Sequence, residues 1–281
     1  MPGVPVSPRV RRPPIRWRVN VTRMTAAQLA AFRRAMTRSQ HTDDDRGYQR
    51  WAGIHGLPLP ISCQHSTSQG FAALFLPWHR AYLYFFERAL RDFVRGVAQP
   101  WWDWTAVAPE NAGLPDAYVD NRDPDGNANP LRSVRINALA MRQARRAGLD
   151  LPARTRREPG LPGTHLPTAE EVADLLEIRD FFTFSRELED RHGDVHIYVG
   201  GERGHMSQVP LAAYDPIFWA HHAMIDRIWR IWQLRHPPPA FTTDFLGTSL
   251  APFPMTVAQT LSVRALGYDY ALASRRVTAR S

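Results

Sequence analysis

Eleven histidines stand among the 281 residues, and the spacing of six of them could build a metal site. His192 and His196 frame the pentapeptide HGDVH, and an i, i+4 separation on a helix turns both imidazoles to one face, aimed at a single point. Two aimed imidazoles need a third. DPIFWAHHAMIDRIW supplies it in His222, four residues before Asp226, so the carboxylate shares the ring's face and could orient one of its nitrogens. The neighbouring His221 points about a quarter-turn away, which suits a place behind the ligands or beside a substrate better than ligation. The first half of the chain offers a matching set in His55, His65 and His79. Two triads of neutral imidazole suit copper, and two such centres brought face to face could hold dioxygen between them.

The elements that must carry these side chains are mostly helical. TAAQ is a capping box that starts a helix at Thr25. A second helix is expected over Asp44 to Ile54 with His55 at its end, stopped by GLPLP. Leu74 to Val94 is the longest helical pattern of the first half and places His79 near its start. PWWDW packs as aromatic core, and the stretch from Val107 to Asn129 has the Pro, Gly, Asn and Asp density of a surface loop. TAEE opens a helix through Ile178, and a further helix runs from Asp215 to Leu234 before HPPP closes it. The β-branched and aromatic run TVAQTLSVRALGYDY predicts short strands. The fold class is therefore mainly α, with long connections and a few short strands.

Composition narrows the function classes. With 44% hydrophobic residues the chain can bury one large core. The formal charge of +8 is spread over scattered arginines and two basic ends, which argues against nucleic acid as a partner. A single cysteine, Cys63, excludes an internal disulfide. Neither a leader-like apolar run nor a membrane-length segment is visible, so the expectation is a cytoplasmic protein, or one exported only with a partner.

FLPWHRAYLYFFE, PWWDW, HGDVHIYVGG and YDPIFWAHHAMIDRIW together resemble the tyrosinase and catechol oxidase family, the type 3 copper proteins. The resemblance covers residues 18–270, leaving 1–17 as a basic Pro/Arg-rich arm and 271–281 as a tail. It implies a four-helix bundle around two copper ions, copper A on His55, His65 and His79 and copper B on His192, His196 and His222, with O2 as co-substrate. It also implies that Tyr268 and Tyr270 pack against an N-terminal arginine, here Arg18. The shielding domain that many members carry further on is not expected in the eleven residues that remain.

The copper A spacing departs from the family. Counted back from His79, the usual spacing lands on Gly70, which cannot ligate, whereas His65 sits in CQH and resembles the Cys-x-His of fungal members, whose cysteine is joined to the histidine by a thioether. Two readings follow: His65 as ligand, with Cys63 beside it and a lengthened loop after it, or a broken copper A site. A loop insertion costs little, since closure entropy grows by only about 0.6 kcal/mol per doubling of length.

The remaining departures touch the chemistry. Glu189 resembles the family's glutamate that holds a water near copper B, and Val209 falls where members carry a residue that can narrow the mouth of the site. Good monophenol hydroxylases often carry asparagine after the first copper B histidine, where this chain has Gly193. The implied activity is a phenol oxidase that turns o-diphenols into o-quinones, with monophenols or o-aminophenols as slower substrates. A strict catechol oxidase and a haemocyanin-like O2 carrier are the alternatives. The partners that follow are a small phenolic substrate and, as one route for loading metal, a copper chaperone, with neither nucleic acid nor membrane among them. His205, in GHM, is read as structural.

Overall fold

The computed structural model describes residues 14–65, 74–106 and 113–271. Among them run ten helices: α1 (Ala26–Gln40), α2 (Tyr48–His55), α3 (Phe75–Phe93), α4 (Asp116–Val119), α5 (Ala138–Arg146), α6 (Ala169–Leu175), α7 (Phe181–Gly200), α8 (Ile217–Arg235), α9 (Thr243–Gly247) and α10 (Val257–Thr260). Two short strands, β1 (Arg16–Arg18) and β2 (Tyr268–Tyr270), pair in parallel. The mainly helical class is as expected. Residues 66–73, which include Gly70, and 107–112 lie outside the described residues.

The capping signals fall where the sequence places them. Thr25 and Gln28 satisfy each other's backbone N–H groups at the head of α1, and Thr168 and Glu171 do the same for α6. α2 begins later than expected, at Tyr48. Asp44 accepts the backbone N–H of Arg46 at 2.8 Å and also pairs with its guanidinium, closing a turn instead of a helix. Gly47 follows so close to that turn that a Cβ would meet the Thr42 carbonyl oxygen at 2.2 Å. The predicted C-terminal strands are also corrected. Thr256 and Gln259 form a third capping box that starts α10, and only Tyr268–Tyr270 is extended. A capping box outweighs β-branched composition, which is a weak and context-dependent preference.

Helices α3, α7 and α8 pack on one another, and α1 lies against α3. Pro77 sits in the first turn of α3, where a missing N–H breaks no helical bond. The interior is aromatic: Trp78, Trp102, Trp104, Trp219, Trp229 and Trp232 are all buried. Phe86 and Trp219 stack with centroids 3.8 Å apart and so key α3 into α8. Trp102 donates its backbone N–H to the Ala220 carbonyl at 3.1 Å, which fastens PWWDW to α8 beside its histidines.

A buried charge cluster ties the ends of the chain to this bundle. Arg18 pairs with Glu87 at 2.8 Å and with Asp226 at 3.2 Å, while Arg80 reaches the other oxygen of Asp226. Tyr268 and Tyr270 donate their hydroxyls to Asp226, and the Arg18 guanidinium lies 3.8 Å over the Tyr268 ring. The expected packing of Arg18 on the tyrosine pair is thus observed. Arg16 and Trp17, at the end of the basic arm, stand with Arg18 in β1. No helix among the described residues is long and apolar enough to cross a membrane.

Candidate metal centre

Seven of the histidines converge between α2, α3, α7 and α8, in two clusters with different foundations. The second cluster rests wholly on long helices. His192 and His196 lie one turn apart on α7, and His221 and His222 lie on α8. Candidate ligand atoms of these four residues are mutually within 4.8 Å. The Nε2 of His222 is 3.3 Å from that of His192 and 3.4 Å from that of His196. Imidazoles held tetrahedrally at ~2.0–2.1 Å from a metal separate their nitrogens by about 3.3–3.4 Å, so this cluster fits an ion as it stands.

Backbone carbonyls set the tautomers. Nδ1 of His192 faces the Glu189 carbonyl at 3.3 Å and Nδ1 of His196 faces the Met206 carbonyl at 2.6 Å. A carbonyl only accepts, so Nδ1 carries the proton and the Nε2 lone pair turns inward. The return that brings Met206 to α7 depends on glycine. Gly201 has φ +58, and a Cβ on Gly200 would meet the Ser207 nitrogen at 2.2 Å. Ser207 then pins the turn by donating to the Gly201 and Gly204 carbonyls.

The first cluster has one long-helix ligand. His79 stands in the first turns of α3 with Nδ1 2.8 Å from the Phe75 carbonyl. His55 is the last residue of α2, its Nδ1 3.1 Å from the Val209 carbonyl, and its Nε2 is buried with no hydrogen-bond partner among the described residues. His65 lies on a segment without regular structure. Its Nε2 is 2.9 Å from the Cys63 sulfur, and its Nδ1 meets Glu189 at 2.8 Å. The compact set here is His55, Cys63 and His79, with His65 at its edge. The clusters face each other: the His79 and His222 rings stack with centroids 4.4 Å apart.

Burial holds these imidazoles neutral, which is the form a metal takes. Desolvation, helped by neighbouring histidines, drives His55, His79, His192 and His222 well below the ordinary histidine range. It lowers His196 to about 4, although the Met206 carbonyl pulls the other way. Burial, and then the charge of Glu189, push the Cys63 thiol up. Buried neutral imidazoles with inward lone pairs are the donor set that copper or another borderline ion would select.

Several expected roles change. Asp226 does not orient His222: its oxygens are taken by Arg18, Arg80, Tyr268 and Tyr270, and the His222 Nδ1 has no hydrogen-bond partner among the described residues. Two buried guanidinium groups outcompete a neutral ring for a carboxylate. Burial would raise the Asp226 carboxyl, but Arg80 and Arg18 outweigh it and hold the group below its ordinary range. His221 is fully buried, stacked on His192 at 5.2 Å with Trp104 beyond, so it backs the cluster and cannot face a substrate. His205 is structural, as expected: it accepts the Arg156 N–H and donates to the Pro152 carbonyl. Val209 is 47% exposed, and a Cβ on Gly193 would meet nothing within 4 Å among the described residues.

Sequence reasoning missed Phe218, whose ring lies 4.8 Å from His55 and 4.1 Å from His222, wedged between the clusters. It also missed the carbonyls of Val209 and Met206. Their only trace in the sequence is the glycine run that ends α7.

Comparison with known proteins agrees with this geometry. The family model described as the common central domain of tyrosinase matches residues 45–235. Hemocyanin 2 of Megathura crenulata is 32% identical over 224 residues, 77% of this chain and 6% of that protein. Tyrosinase of Streptomyces glaucescens is 35% identical over 198 residues, 60% of this chain and 68% of that one. The chain thus spans only a small part of the hemocyanin. Among solved structures, a functional unit of octopus hemocyanin superposes with TM-score 0.73 at 28% identity, covering 91% of this chain and 68% of that one. Tyrosinase of Burkholderia thailandensis gives TM-score 0.71 at 22% identity, with 94% and 75% covered, a likeness of fold. The paired histidine clusters on a shared helical bundle, together with these matches, make the chain a member of the tyrosinase family of type 3 copper proteins.

Proposed function

We propose that the chain is a dinuclear copper phenol oxidase, holding one ion on His55, His65 and His79 and the other on His192, His196 and His222. Bound copper would supply O2 reduction, two o-diphenols yielding two o-quinones while one O2 takes their four electrons and four protons to give two waters. The residues supply the rest. Carbonyls at Phe75, Glu189, Val209 and Met206 fix four rings in the ligating tautomer. Phe75 and Phe218 line the space around the rings and exclude water from it.

The observation that carries an oxidase reading is the open rim. Val209 is half-exposed, and a Cβ on Gly193 would meet nothing within 4 Å among the described residues, which favours access of an aromatic ring to the deeply buried ligands. A diphenol needs only to be oxidised, whereas a monophenol must first be hydroxylated, and with pKa ~10 it is about three units from deprotonation at pH 7, or ~4 kcal/mol. Gly193 offers no side-chain acceptor to help, so catechols are expected to turn over faster than monophenols, and monophenols to show a lag. The hemocyanin relatives favour a second reading, reversible O2 binding without turnover. Oxygen consumption by the copper-loaded protein with a catechol and the matched phenol separates the two. Sustained uptake with catechol supports the oxidase, and O2 binding without uptake supports the carrier.

A further inference from the structure

Glu189 touches both clusters at once, and by two different groups. Its backbone carbonyl lies 3.3 Å from Nδ1 of His192, a second-cluster ring. Its carboxylate lies 2.8 Å from Nδ1 of His65, in the first cluster, across 124 residues of chain. The two contacts differ in what they have to achieve. His192 is already aimed by α7, on which both residues stand. His65 is on no helix, and the chain from residue 61 to 65 has no regular structure. A ring on such a segment is not aimed by helix periodicity, and side-chain contacts must orient it. Stacking against Phe75, with centroids 5.9 Å apart, restrains the ring plane but does not decide which nitrogen points inward. The carboxylate decides that. By accepting the Nδ1 proton it leaves Nε2 unprotonated and turned toward Cys63 and the His79 side of the cluster, where Cys63 Sγ lies 3.6 Å from the His79 Nε2.

We infer that Glu189 is a positioning residue shared by the two metal clusters: through its side chain it orients His65, and so makes the first cluster's assembly depend on α7, the helix of the second. This rests on the dinuclear copper reading above. It gives Glu189 a structural task at the metal in place of, or before, any hold on a substrate-side water. It also accounts for how a ligand outside any helix is brought to its place. The Glu189 carboxylate reaches it from across the site, on the Nδ1 side of the ring opposite the Cys63 sulfur. The backbone contact to His192 survives any substitution at position 189, so loss of the side chain should act on one cluster only.

The test is a Cu(I) titration of the apo protein in competition with a chromophoric chelator, with circular dichroism to monitor folding. The parent chain is expected to take two equivalents. In Glu189→Ala the first equivalent should bind as in the parent and the second about 10–100-fold more weakly, the usual effect of removing a partner that orients a metal-bound histidine. Glu189→Gln should restore the second equivalent, because the amide oxygen still accepts the Nδ1 proton. Glu189→Asp keeps the charge but withdraws it by one methylene, and should behave like Glu189→Ala, which keeps the inference testable if the alanine variant does not fold. Adding Glu189→Ala to His65→Ala should weaken copper no further. Two equivalents at parental affinity in Glu189→Asp or Glu189→Ala would overturn the shared-positioning role while leaving the copper reading intact. Fewer than two equivalents in the parent would overturn the copper reading, and this inference with it.

Discussion

The two histidine clusters have similar chemistry and opposite construction. The second draws His192, His196 and His222 from the interiors of α7 and α8, so helix periodicity and the packing of two helices place the residues, with the Met206 carbonyl after α7 as the one non-helical contact that aims a ring. The first draws His79 from a helix start, aimed by the Phe75 carbonyl one turn back on α3, but takes His55 from a helix end and His65 from irregular chain, and these two need help from elsewhere, Val209 and Glu189. Positions set by a repeating backbone survive local change. Positions set by long-range contacts are each exposed to the loss of one residue.

The largest expected effect strikes both clusters together and so measures what they share. Asp226 holds Arg18 and Arg80 in a buried cluster that fastens β1 and β2 to α3 and α8. Asp226→Asn leaves two guanidinium groups short of a counter-charge, and a loss of about 3–5 kcal/mol is expected in urea unfolding. The pH dependence has a defined sign. The folded carboxyl sits below its ordinary value, so the folded state binds its proton less well than the unfolded chain does. Its contribution is complete above pH ~4 and lost as pH falls through the folded value. An acid titration of stability should therefore be flatter below that pH in Asp226→Asn than in the parent.

Next comes a change that should break the second cluster at its one non-helical support. Gly201 ends α7 at φ +58, and a Cβ there would meet the Glu158 carbonyl oxygen at 2.5 Å. Gly201→Ala is expected to cost about 1–3 kcal/mol and to loosen the Met206 contact that aims His196. Copper titration should show the second cluster weakened and the first spared. Equal weakening of both would erase the contrast drawn above.

A smaller effect is expected at Cys63. Its sulfur lies beside Nε2 of His65 and of His79, so Cys63→Ser should weaken the first cluster modestly and keep two coppers. The smallest is at Gly193, where the open space admits a side chain without strain. Gly193→Asn should leave copper content and stability unchanged and raise the monophenol rate relative to the diphenol rate. Initial rates on a matched phenol and catechol would read this, and an unchanged ratio would show that position 193 does not govern the phenolic proton.

The same contrast decides what could be read from the sequence. HGDVH and HHAMID give the second cluster directly, because i, i+4 spacing on a helix is geometry already. The bundle helices were legible for the same reason, from capping boxes at Thr25 and Thr168 and from the aromatic periodicity after His79. The first cluster was legible only as a set of residue types, since whether His65 reaches the site depends on Glu189 far along the chain. Asp226 shows the limit from the other side. Its spacing from His222 gives one shared face, yet two arginines distant in sequence take its charge. The late start of α2 and the replacement of strands by α10 have a common cause, side-chain capping by Asp44 and Thr256 that composition alone does not weigh.

The central claim is that both clusters bind copper and act as a pair. The most direct measurement is the copper content of the reconstituted chain together with its optical spectrum on addition of H2O2. Two coppers per chain with an intense near-ultraviolet absorption is the predicted result. One copper per chain with no such absorption would show that His55, His65 and His79 do not form a metal centre, and would contradict the account.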